Sequence, residues 1–142
     1  MNFVRDIIQK KGPQVAAVSA DQSVLSAAQL MNDRRIGSVV VTQGETVVGI
    51  FTERDILTRV VAAQKDPAGV AVRDVMTHPC VVCGPEDEIT QCQAMMTEKH
   101  IRHIPVVSEG KLVGIISSGD ILASSKVQLE EAVRYLSEYI YG

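Results

Sequence analysis

At 142 residues, with 46% hydrophobic and 22% charged residues, the chain has the composition of one folded domain or two very small ones, not of a disordered segment. Its formal net charge of −3, without a Lys/Arg block, argues against a nucleic-acid wrapper. No apolar run approaches the roughly 18 residues of a membrane helix, the first residues lack the basic and apolar regions of a signal peptide, and three cysteines are an odd number, so the reading is a cytoplasmic chain with reduced thiols and no membrane partner.

In chain order, a short strand is expected at 15–18. Residues 21–35 carry Val24, Ala27, Ala28, Leu30 and Met31 at helical spacing. A Val-rich strand at 37–42, the turn Gln43-Gly44-Glu45 and a strand at 46–51 form a hairpin. A helix runs from 52 to about 64, and residues 65–71, with Pro67 and Gly69, read as a linker. A second short strand falls at 80–83. A helix at 86–100 follows, with Ile89, Cys92, Met95 and Met96 inward, and then a hairpin of strands 104–107 and 111–116. Residues 117 to about 123 predict a helix, and 125–140 a separate one with Leu129, Ala132, Val133, Leu136 and Ile140 on one face.

These elements are two copies of one unit. Gly49-Ile50-Phe51-Thr52-Glu53-Arg54-Asp55-Ile56-Leu57 recurs as Gly114-Ile115-Ile116-Ser117-Ser118-Gly119-Asp120-Ile121-Leu122, at an offset of 65. The offset holds back through Val41/Val106, Met31/Met96 and Val24/Ile89. Upstream, Val4-Arg5-Asp6-Ile7 matches Val72-Arg73-Asp74-Val75 at an offset of 68, so the first copy carries three extra residues near Lys10 to Gln14. One copy of roughly 60 residues buries too little apolar surface to be secure alone. The fold class is therefore mixed α/β (α+β): two pseudo-symmetric β-α-β-β-α repeats packed sheet to sheet, with an added terminal helix. The segments are 1–64, a linker 65–71, 72–124, and the helix 125–142.

With the doubled unit, the Gly-Ile-Phe-Thr-Glu-Arg-Asp-Ile-Leu run and Arg102-His103-Ile104-Pro105-Val106-Val107, the chain resembles a cystathionine β-synthase-type (CBS) domain pair, or Bateman module, over nearly its whole length. It looks most like the small stand-alone bacterial pairs. The resemblance implies a regulatory module, not an enzyme. Such a module needs no cofactor and binds an adenosine-containing ligand (AMP, ADP, ATP, NAD(H) or S-adenosylmethionine) in the cleft between repeats. It alters a partner protein, which the sequence does not identify, and forms a homodimer.

Thr52 with Asp55, and Ser117 with Asp120, stand where a strand gives way to a helix. Free backbone amides there welcome an anionic or polar ligand, and the Asp can accept two hydrogen bonds from a vicinal diol. The same Thr/Ser-x-x-Asp pattern also serves simply to cap a helix. In the family the matching Asp binds ribose, and residues at the positions of Arg102 and His103 contact phosphate. The first copy has Gly37 and Ser38 at those positions, so the two sites are not expected to hold phosphate equally. Arg34, Arg35, Lys99 and His100 read as exposed helix ends. Cys80, Cys83 and Cys92 open a second reading, a thiol redox or metal-binding protein. Cys83 and Cys92, however, align with the apolar Val18 and Ala27 and fit as buried thiols. No Ser-nucleophile motif, Walker loop or metal-spaced His/carboxylate cluster is present.

Overall fold

The computed structural model describes residues 2–12 and 14–141. Met1 and Gly142, at the outer limits of the segments assigned above, and Pro13, within the insertion, lie outside the described residues, as does the side chain of Tyr141. Helix α1, Val4–Lys11, starts where the Asp6 carboxylate accepts the amides of Asn2 at 3.2 Å and Phe3 at 3.1 Å. Strand β1, Ala17–Ser19, leads to α2, Val24–Arg34, which is capped by Ser23; the Ser23 hydroxyl accepts the Ser26 amide at 3.1 Å. The first hairpin is β2, Ser38–Gln43, and β3, Thr46–Thr52. The second copy holds α4, Ile89–Lys99, and the hairpin of β4, His103–Ser108, and β5, Lys111–Ser117.

The sheets have the orders β1-β2-β3, with β1 parallel to β2, and β4-β5. The hairpins are copies in register: Val40 pairs with Ile50 as Pro105 pairs with Ile115, and each has a bulge, after Val41 and after Val106. The expected mixed α/β architecture of two repeats packed sheet to sheet is borne out, with β3 and β5 in contact.

Three elements differ from expectation. The strand expected at 80–83 is reduced to one bridge, in which the Cys83 amide donates to the Pro105 carbonyl at 3.0 Å and the Val107 amide to that of Cys83 at 2.8 Å. Pro79, just before it, has no amide proton to extend a ladder. The helix expected over 52–64 is one α-turn, α3, Glu53–Asp55, that widens into a π-helical stretch, Ile56–Val61. The two helices expected over 117–123 and 125–140 are one, α5, Ser118–Tyr141. Between Gly119 and Tyr141 no Gly or Pro interrupts the i→i−4 ladder.

The opening segment of each copy docks on the other copy. Val72, Val75 and Met76 complete the core of Val18, Val24, Met31, Val39, Val41 and Phe51, while Val4 and Ile7 complete that of Cys92, Met96, Ile104, Val106 and Ile116. The hydrogen bonds repeat the symmetry: the Val72 amide donates to Gln22 and the Val4 amide to Asp87, while the Val24 amide donates to Val70 and the Ile89 amide to Asn2. The repeated glycines allow this approach. A Cβ on Gly49 would lie 2.6 Å from Met76 Sδ, and one on Gly114 would lie 2.5 Å from Ile8 Cδ1.

Candidate functional site

Both Thr/Ser-x-x-Asp motifs form reciprocal caps. The Thr52 amide donates to Asp55 Oδ2 at 3.0 Å and the Asp55 amide to Thr52 Oγ1 at 3.2 Å; in the second copy the same bonds, Ser117 to Asp120 and back, measure 2.8 and 3.1 Å. Beyond the cap the two acids part company. The Asp55 side chain is only 7% exposed, and it accepts the Thr77 hydroxyl at 3.0 Å on Oδ1, with Arg59 Nε 3.8 Å from the same oxygen. Asp120 is 21% exposed and carries an ammonium: Lys11 Nζ donates to its Oδ2 at 2.9 Å and to the Ile115 carbonyl at 2.8 Å. Burial opposes the ionisation of Asp120, but the Lys11 ammonium and the Ser117 amide and hydroxyl outweigh it and hold the carboxyl below its ordinary range.

Asp55 lines one composite cleft, whereas Asp120 is not in the lining of the other but is bonded to two residues that are, Lys11 and Ser117. The first, about 580 Å³, joins Thr52, Asp55, Arg59 and Thr77 of one side to His100, Arg102 and His103 from the start of β4. The second, about 930 Å³, joins Ser117, Ile115 and Lys11 to Arg34, Gly37, Ser38 and His103. Of the sequence-derived candidates, Arg102 thus meets Thr52 and Asp55, Ser38 meets Ser117, and Gly37 and His103 border both clefts. Burial, together with Lys11 and Arg102, pushes the His103 imidazole below its usual value, against the opposing pull of Asp120 and Glu53.

Arg34 and His100 are exposed at helix ends, as expected, and in addition line the clefts, Arg34 the second and His100 the first. The reason is the left-handed C-cap on α2 and α4, at Arg35 and His100, which turns the chain directly into the β-hairpin beside the cleft. Lys11 and Thr77 were not singled out from sequence. The only signal for Lys11 is that it falls in the three-residue insertion.

Cys83 and Cys92 lie in the second core, and Cys80 is half-buried with its thiol donating to the Val81 carbonyl at 3.5 Å. Burial pushes all three thiols up. In Cys92 a hydrogen bond with Cys83 works against that rise. Among the described residues, no group of three or more His, Cys, Asp or Glu side chains is placed so that it could hold a metal ion, and no helix is long and apolar enough to cross a membrane.

The CBS domain family model matches residues 4–62 and again 72–126. The chain belongs to the CBS-domain family. CBS-domain pairs are generally regulatory ligand-binding modules, and the stand-alone proteins are mostly regulatory rather than enzymes. The CBS domain-containing protein YhcV of Bacillus subtilis is 34% identical over 132 residues, covering 93% of this chain and 91% of its own length. The crystal structure of the CBS-domain protein ATU1752 from Agrobacterium tumefaciens has a TM-score of 0.80 at 39% identity, covering 87% of this chain and 93% of that one. A crystal structure of Hypoxic Response Protein I, with two coordinated zinc ions, has a TM-score of 0.75 at 28% identity, covering 87% of this chain and 99% of that one; the protein of that name from Mycobacterium tuberculosis is 29% identical over 122 residues, covering 85% of this chain and 83% of its own length.

Proposed function

We propose that this CBS pair binds adenosine-containing nucleotides in its two inter-repeat clefts and passes the occupancy to a partner protein. The observation that carries the reading is the composite build of each cleft. A helix cap comes from one repeat, its carboxylate lining the first cleft and bonded to the lining residues Lys11 and Ser117 at the second, and cationic residues come from the start of the other hairpin or its flanking segments. A ribose diol suits the carboxylate and phosphates suit the cations. Volumes of about 580 and 930 Å³ lie in the range of small-molecule sites. Because each lining is shared by both repeats, a ligand bridging them favours one relative packing of the two, which is the requirement for transmission.

The test is thermal unfolding of the purified chain with AMP, ADP, ATP, NAD(H) and S-adenosylmethionine, with zinc, chelator and reductant as separate arms. A nucleotide at about 100 times its Kd adds about 2.7 kcal/mol. No shift with any adenosine compound overturns the reading. Stabilisation by zinc alone, lost on substituting Cys80, Cys83 and Cys92, replaces it with the metal reading that the zinc-bearing relative suggests. The same proposal makes the chain a homodimer through the exposed face of α5.

A further inference from the structure

The insertion near Lys10 to Gln14 has no counterpart in the second copy, and α1 ends within it at Lys11. There the Lys11 ammonium holds Asp120 Oδ2 and the Ile115 carbonyl. At the corresponding place in the first cleft a neutral hydroxyl, that of Thr77, holds Asp55. Arg59 also faces Asp55, but at 3.8 Å it is outside hydrogen-bond reach, whereas Lys11 bonds Asp120 at 2.9 Å, so the two acids differ in whether a cation directly occupies them. The Ser117 amide also bonds Asp120 Oδ2, so one oxygen of the pair that a diol would use already has two donors. Lys11 itself lines the second cleft, beside Arg34 and His103. An ammonium has three donors on a flexible four-carbon stem, so it can keep the Ile115 carbonyl while exchanging one acceptor for another.

We propose that Lys11 is the phosphate sensor of the second cleft: a ligand phosphate draws its ammonium away from Asp120 and frees that carboxylate for the ribose diol. An uncharged nucleoside, by contrast, meets a carboxylate already neutralised and occupied. The result is selection by phosphate charge, set by a residue outside the repeated motifs and acting in one cleft only. This deepens the nucleotide reading and rests on it.

The experiment is calorimetric titration of the full chain with adenosine and with ATP. The second-cleft transition is taken as the one that D120A abolishes. K11M is expected to lower the preference of that site for ATP over adenosine by about tenfold or more, the worth of one charge-assisted hydrogen bond. K11R restores the preference, and K10M, a neighbouring lysine outside the cleft lining, leaves it as in the wild type. A preference that stays within about twofold in K11M, while the wild type binds both ligands, overturns the role of Lys11 and leaves the nucleotide reading intact. A wild-type chain that binds neither ligand overturns both.

Discussion

Asp55 and Asp120 occupy one motif position yet differ in what removing them would expose. Asp55→Ala removes a nearly buried carboxylate, strips the half-buried Thr77 hydroxyl of its acceptor and breaks the cap on Thr52, so a loss of about 2–3 kcal/mol is expected. Asp120→Ala leaves behind only a part-exposed ammonium and a lost cap, for which about 1 kcal/mol is expected. Urea unfolding of the two variants checks the order; equal losses would show that the Thr77 contact contributes nothing. His103 supplies a pH prediction. Its folded value lies below its unfolded one, so the unfolded chain takes up the proton first. Stability is then lost as pH falls from about 6.5 through the lowered folded value. A bound phosphate offsets the repulsion from Lys11 and Arg102 and raises the imidazole, so nucleotide affinity rises and protons are taken up as pH falls through the raised value of the complex toward the lowered value of the free chain. Titration in two buffers of different ionisation heat measures the uptake, with H103N expected to lose it and H100Q, the other cleft histidine, run alongside. The caps at Thr52 and Ser117 were legible because a capping box is a local pattern. Thr77 and Lys11 were not, because each reaches its acid from a segment remote in sequence, 22 residues away for Thr77 and 109 for Lys11.

At the scale of elements, the hairpins were legible from alternating Val and Ile bounded by turn residues, and both formed within a residue or two of expectation. The helix ends were less so. The break expected near Ser124 is absent, since α5 runs unbroken from Ser118 to Tyr141, whereas the helix after the first hairpin passes into a π-helical stretch that α5 does not share. The docking of each opening segment on the opposite repeat was also invisible to a linear reading, although Gly49 and Gly114 record it. A Cβ on Gly49 would come within 2.8 Å of the Thr77 carbonyl oxygen, which is fixed by its 3.1 Å bond from the Ile50 amide. At Gly114 the nearest atom is the free end of Ile8, which can rotate. Gly49→Ala is therefore expected to cost about 2–3 kcal/mol and Gly114→Ala about 1 kcal/mol. Chemical denaturation of both variants tests the ranking; a costlier Gly114 variant would contradict the assignment of rigid backbone as the cause.

For the whole molecule, the apolar face of the last helix needs a cover, and the two candidates are the chain's own first helix and a second copy. The structure removes the first. Val4 and Ile7 of α1 are spent in the second core, and Leu129 and Leu136 remain 66% and 56% exposed, with Val133 and Ile140 beside them. Leu122, Leu129 and Leu136 recur every seven residues, with Val133 and Ile140 four residues after the last two, which is the spacing of a helix–helix seam. A stripe of this kind on an α5 of 24 residues is larger than the scattered apolar residues a monomer ordinarily tolerates. A symmetric pair of α5 helices would use the one patch twice and, with the flanking helices, is expected to bury more than roughly 1,000 Å². Light scattering on the full chain is expected to give the mass of two copies, and on a chain ending at Ser124 the mass of one. L129E and L136E together are expected to dissociate the full chain without unfolding it, because neither side chain lies in a core. A monomeric full chain would overturn the dimer, whereas a truncated chain that stays dimeric would keep the dimer and move its interface off α5, onto the helices that follow each hairpin.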